Sequence, residues 1–181
     1  GSGSSRLSPR NTHVAHQLNS RGLATLLFDL LTEHEAAYRA NVFDIPLLGT
    51  RVAEAVRWAR ENAEAANLDI GLFGSSTGAA AALVAAAQAP DDVKAIVSRG
   101  GRPDLAGDYL PSVRAPTLLI VGGADYGVIE LNEQALERLT CEKRLEIIPG
   151  ATHLFEEPGA LDQVVDLTGR WFEMHLGRSV Q

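Results

Sequence analysis

Asp69-Ile-Gly-Leu-Phe73-Gly74-Ser75-Ser76-Thr77-Gly78, running into the near-continuous alanine stretch Ala79 to Ala87, decides how this chain is read. The short apolar run closing on Phe73 suits a strand buried on both faces. The alanine-rich stretch suits a buried helix with no polar face before Gln88, ended by Pro90. Between them, Gly74 to Gly78 matches G-x-S-x-G, the tight strand-to-helix turn that exposes a serine at its apex. Only Ser76 fits the apex, because the positions two before and two after it are Gly74 and Gly78. With Ser75 at the apex, the bulkier Phe73 and Thr77 would stand there.

Working outward, the same short apolar pattern recurs at Leu23–Phe28, Val93–Val97, Thr117–Val121 and Leu145–Ile148, so about five strands are expected. Helical spacing links Val52, Val56, Ala59 and Ala63, then Leu131, Ala135 and Leu139, then Leu161, Val164, Val165 and Phe172. Pro9 to Ser20 reads as an opening helix capped by Ser8, with Gly22 beyond its end. Ser98 to Pro116, rich in Gly and Pro, reads as a loop too short for a lid domain. Strand and helix in alternation give the α/β class: a doubly wound, mainly parallel sheet flanked by helices, within a single domain spanning 1–181.

The 181 residues carry a formal charge of −7 spread along the chain, with no Lys/Arg run. That distribution argues against nucleic acid or an anionic membrane surface as a partner. No 18-residue stretch is apolar and free of charge, so no membrane span is expected. The lone Cys141 can form neither an internal disulfide nor a zinc cage, which makes a reduced, cytoplasmic setting the expectation. No metal or cofactor motif is present, and none is expected to be needed.

A serine hydroxyl needs an imidazole to take its proton and a carboxylate to orient that imidazole. Of the five histidines, His153 alone follows the last strand. That places it at the carboxyl edge of the sheet, where Ser76 also lies and where open α/β sheets build their sites. Asp125, just past the strand Thr117–Val121, is the carboxylate of choice. Asp104 is its rival, and Asp29 reads as a structural partner of a nearby arginine. The order Ser76, Asp125, His153 is the one in which this elbow's triads run. An oxyanion hole needs two donors: the backbone N–H of Thr77 and one from the loop entering the first helix, here Gly3 or Ser4. Read alone, the Gly-Ser opening also has the composition of a flexible linker.

Together these residues resemble the α/β-hydrolase superfamily, and within it the small, lidless dienelactone hydrolase-like proteins. The resemblance extends through the opening Gly1 to Asn11, Phe28-Asp-Leu-Leu-Thr32, Leu119-Ile-Val-Gly-Gly-Ala-Asp125 and Pro149-Gly-Ala-Thr-His153-Leu-Phe-Glu-Glu-Pro158. It implies that Gly1 to Arg6 is the oxyanion loop. Dienelactone hydrolases proper carry cysteine at the elbow; this chain has Ser76, so their lactone specificity does not transfer. Cys141 precedes the last strand and reads as a structural thiol. The resemblance also implies three strands upstream of the oxyanion loop, the third lying between the strands from Leu23 and Asp69. Their absence here implies the C-terminal part of a longer family domain, another segment filling the gap, or direct pairing of the strands from Leu23 and Asp69. It also suggests an apolar sheet edge that a second copy or another chain can cover.

The expected function is therefore a serine hydrolase of small ester-type substrates: carboxylic esters, lactones or thioesters. Arg6, Arg99 and Arg102 can hold a substrate carboxylate at the pocket mouth, or else pair with Asp29, Asp104 and Asp108 as surface structure. The alternative of another class is an inactive hydrolase-like scaffold that associates through its sheet edge. Nucleotide binding is disfavoured because neither G-x-G-x-x-G nor a P-loop occurs, and dehalogenase chemistry because it needs an aspartate at the elbow.

Overall fold

The computed structural model describes residue 1 and residues 4–177. In chain order the elements are α1 (Pro9–Ser20), α2 (Glu33–Ala36), α3 (Arg39–Val42), α4 (Ile45–Glu61), β1 (Ile70–Ser76), α5 (Thr77–Gln88) and β2 (Val93–Gly101). A 3-10 segment (Pro103–Ser112), β3 (Thr117–Gly122), α6 (Tyr126–Arg138), β4 (Lys143–Ile148) and α7 (Ala160–His175) follow. The strands form one parallel sheet in the order β1-β2-β3-β4. No described helix is long and apolar enough to cross a membrane.

Helices cover both faces. On one side α4, α5, α6 and the 3-10 segment pack against Ile70, Leu72 and Ile96 around Leu48, Leu83, Leu110 and Leu139. On the other, α1 and α7 pack Val14, Leu18, Val164 and Phe172 against Ala95, Val97, Leu118 and Ile120. Alternate residues of β2 thus feed opposite cores, Ile96 one and Ala95 and Val97 the other, as the pleat requires. α5 is buried from Thr77 to Ala86. Its methyl-sized side chains let it lie close to its neighbours, and α4 meets it through Gly49, where a Cβ would stand 2.9 Å from Val84 Cγ1.

Two expectations are corrected. The described residues form four strands, not five: Leu23–Phe28 has no ladder partner and is not a strand. Apolar alternation can favour an extended chain, but a strand exists only through the neighbour it bonds. Here Asn19 Nδ2 ties the run to α1 through Leu23 O (2.9 Å) and Thr25 Oγ1 (3.0 Å), while Leu26 and Phe28 are exposed. The outer edge of β1 likewise has no strand beside it among the described residues. The second correction concerns Ser98–Pro116. It begins as the end of β2 and continues as 3-10 turns kinked at Gly107, so little of it is irregular loop.

Candidate active site

β1 delivers the chain to Ser76, which has φ 51° and ψ −127°. Among the described residues only Ser76 and Phe155 have a positive φ without being glycine. Such backbone costs about 1–3 kcal/mol and persists only where its surroundings enforce it. Here they do. A Cβ on Gly74 would lie 2.5 Å from Gly78 O and 2.7 Å from Ala79 Cα, so helix and strand touch through bare backbone. Ser76 O accepts from Arg102 N–H at 2.9 Å, and Ser76 pairs with Gly101 in the β1-β2 ladder.

The loops after β3 and β4 are laced together. Gly123 N–H donates to Ile148 O (2.8 Å) and Ala124 N–H to Ala151 O (2.9 Å), fixing Asp125 relative to His153. Asp125 Oδ2 and His153 Nδ1 are 2.7 Å apart, with the carboxylate 16% and the imidazole 44% exposed. An ionised carboxylate can only accept, so Nδ1 carries the proton and Nε2 keeps its lone pair as a base. The histidine loop is anchored by buried Phe155 (φ 55°), and by Thr152 N–H donating to Glu157 Oε1 at 3.0 Å. The Thr152 hydroxyl holds the Glu157 carboxyl below the usual carboxylate range.

Gly100 (φ 51°) joins the two halves. A Cβ there would meet His153 O at 3.1 Å and stand 3.6 Å from His153 Nδ1, while the next residue, Gly101, is the ladder partner of Ser76. Ser76 and the Asp125–His153 pair therefore flank the end of β2 on one rim. This arrangement brings a strained serine, an oriented imidazole and a helix N-terminus to one rim of the sheet.

Thr77 opens α5 directly after Ser76 and is buried. The opening segment lies against the elbow, since a Cβ on Gly78 would stand 2.9 Å from Gly1 Cα. Ser4 Oγ accepts from Asn11 Nδ2 at 3.3 Å; Gly3 lies outside the described residues. Arg6 pairs with Asp29, whose Oδ1 also accepts from the Arg6 backbone N–H at 2.7 Å. Arg102 grips Asp104 through Nε (2.9 Å) and Nη2 (2.8 Å). Each of these guanidiniums thus serves a carboxylate of the chain itself, and Asp104, the rival acid, is turned to Arg102.

Sequence reasoning gave no role to Asn132 or Asn11. Asn132 is fully buried on α6, the helix that follows Asp125, and its Nδ2 donates to Gly101 O at 3.1 Å, tying that helix to the end of β2. A polar residue beside Leu131 on an apolar helix face was the available signal. Arg99 is 6% exposed, donates to Asn11 Oδ1 at 3.3 Å and has its guanidinium 5.6 Å from the Phe73 ring centroid. Burial, with Arg10 adding repulsion, lowers its pKa to about 10. Cys141 sits before β4, away from this rim, and burial raises its thiol pKa. Among the described residues no cluster of three or more His, Cys, Asp or Glu is arranged to hold a metal ion.

The sequence pattern of the dienelactone hydrolase family matches residues 13–166. The chain belongs to the dienelactone hydrolase family. It is similar to the crystal structure of dienelactone hydrolase from Anabaena variabilis, with 57% identity and a TM-score of 0.93 over 98% of this chain and 84% of that one. An alpha-beta serine hydrolase homologue from Coxiella burnetii is 20% identical, with a TM-score of 0.75 over 92% of this chain and 77% of that chain, and shares the fold. Two relatives from Mycobacterium tuberculosis strains, each named "Putative phosphoribosyl transferase", are 58% identical over 176 residues. The match takes in 97% of this chain but only 40% of each relative's length, so the activity in their name is not carried over.

Proposed function

We propose that this chain is a serine hydrolase that cleaves small ester-type substrates, carboxylic esters, lactones or thioesters, through an acyl-enzyme on Ser76. His153 Nε2 takes the proton from Ser76 Oγ as it attacks the acyl carbonyl, and returns it to the leaving group. Water, deprotonated by the same imidazole, then hydrolyses the acyl-enzyme. Asp125 orients the ring and stabilises its charged form. The backbone N–H of Thr77 and a donor from the Gly3–Ser4 loop receive the oxyanion. One observation carries this reading: Ser76 is held at φ 51° on the rim where His153 Nδ1 meets Asp125 Oδ2 at 2.7 Å. Family membership supports hydrolysis, and the lone, half-buried Cys141 fits a cytoplasmic setting.

A fluorophosphonate probe with peptide mapping tests this directly. Labelling is expected at Ser76, abolished by Ser76→Ala, with ester hydrolysis falling on the order of 10⁶-fold. Undiminished hydrolysis by Ser76→Ala would remove the assignment. A second reading, association through the sheet edge with a second copy of the chain, is favoured by the outer edge of β1, which pairs with no strand among the described residues, and by the exposed Leu26 and Phe28.

A further inference from the structure

Arg99 presents an energetic puzzle. A guanidinium that is 94% buried normally faces a carboxylate, because burying an unpaired charge is costly. Among the described residues Arg99 has none: its Nη2 donates to the neutral Asn11 Oδ1 at 3.3 Å, and its Nη1 is buried with no hydrogen-bond partner. The Arg10 guanidinium and the Gly1 ammonium both oppose it. Arg6 and Arg102, by contrast, each hold an acid.

What Arg99 does accomplish is to fix an amide. Arginine can only donate, so it forces Asn11 to present Oδ1 to it and Nδ2 to the opposite side. There Nδ2 donates to Ser5 O at 3.0 Å and lies 3.3 Å from Ser4 Oγ, inside the opening loop. Ser8 closes the same turn, donating from its N–H to Ser5 O and accepting from Asn11 N–H through Oγ. Arg99 is itself the ladder partner of Ser75, the residue before the nucleophile, and immediately precedes Gly100, which abuts His153. One connected path thus runs from the strand end beneath the catalytic rim, through Asn11, to the loop beside the elbow.

We propose that Arg99 and Asn11 are positioning residues that brace the Ser4–Ser5 loop against the end of β2, and so hold the oxyanion donors in register with Ser76. This rests on the serine hydrolase reading above. A neutral acceptor suits the task better than an acid would. A carboxylate at position 11 would give Arg99 an anionic partner but has no hydrogen to give to Ser5 O. The loop is therefore held at the expense of a better ion pair.

That trade-off makes Asn11→Asp the decisive variant. It removes both donations to the loop while giving the buried guanidinium an anionic partner. A purely structural role for Asn11 predicts unchanged or improved function with higher stability. The brace predicts an equal or higher Tm together with slower labelling of Ser76 by a fluorophosphonate, about 10- to 100-fold, because a displacement of about 1 Å costs that much in a catalytic site. The same factor is expected in kcat for a small ester and in the affinity of a boronic acid transition-state analogue, with KM little changed. Asn11→Ala, which buries nothing new, is expected to slow labelling similarly, and Arg99→Met to follow it if folded. The full chain should be used throughout. If wild type is not labelled at Ser76, the serine hydrolase reading fails first. If wild type is labelled and both Asn11 variants react within threefold of it, the brace is overturned.

Discussion

Gly74→Ala asks one methyl group to enter the tightest contact of the site. The added carbon would lie 2.5 Å from Gly78 O, 2.6 Å from Gly78 C and 2.7 Å from Ala79 Cα. All three are backbone atoms of the first turn of α5, so no side-chain rotation can relieve the overlap. Strand and helix must separate, against α4 and the 3-10 segment packed behind α5. Overpacking a dense site costs about 1–3 kcal/mol, and a clash with backbone on this scale belongs at the upper end, about 3 kcal/mol. For a chain of this size that is a fall in Tm of roughly 6–12 °C. The same separation moves Ser76 relative to His153, so Ser76 labelling should slow ~10²-fold beyond any loss of folded protein. Thermal unfolding followed by circular dichroism, and labelling rates measured well below Tm, report the two effects separately. A variant that melts within 2 °C of wild type and labels at its rate would show that the elbow is not sealed by backbone contact.

Asp125→Asn should leave the fold intact and lower kcat ~10⁴-fold, because an amide can donate to Nδ1 and hold the imidazole in the wrong tautomer; a loss below tenfold in a kcat measurement would dismiss the carboxylate's role. Glu35, held by Arg51 at 2.7 and 3.1 Å and then by the Thr32 backbone, has its pKa lowered from 4.5 to about 2. A depressed carboxyl pKa contributes stability above the unfolded value that is lost as pH falls through the folded one. The gap in urea midpoint between wild type and Arg51→Met should therefore narrow from pH 5 to pH 2, and a gap unchanged at pH 2 would contradict the pairing. If the unpaired outer edge of β1 associates with a second copy, sedimentation should show a concentration-dependent dimer weakened by Phe28→Glu; a monomer at all concentrations would dispose of it.

The elbow was legible because its signal is local: two glycines, a serine between them, an apolar run before and alanines after. Asp125 and His153 could be nominated because both directly follow strands, and a parallel sheet brings such loops to one rim. Leu23–Phe28 misled for the complementary reason. Its side chains favour extension, but strand pairing depends on a neighbour that local composition does not specify. Arg6 and Arg102 carry no sequence mark that separates a guanidinium facing substrate from one facing Asp29 or Asp104, since both uses place an arginine beside a loop. Asn132 was hidden because its tie to Gly101 comes from burial, and Arg99, expected beside a substrate or an acid, is instead buried against Asn11. A lone polar residue in an apolar pattern looks like a surface position until the partner across the core is known.

The alanine helix behind the nucleophile has a consequence for how such a protein can be diversified. Gly74, Gly78 and the methyl groups of α5 are closely packed, so larger residues in that wall would displace Ser76. Tyr126 and Leu154, next in chain to Asp125 and His153, are 75% and 43% exposed and bear no such load. On the serine hydrolase reading proposed above, substrate range is expected to drift by exchange of these two exposed side chains while the wall stays fixed. Mutant libraries aimed at new acyl groups should concentrate there and leave α5 untouched.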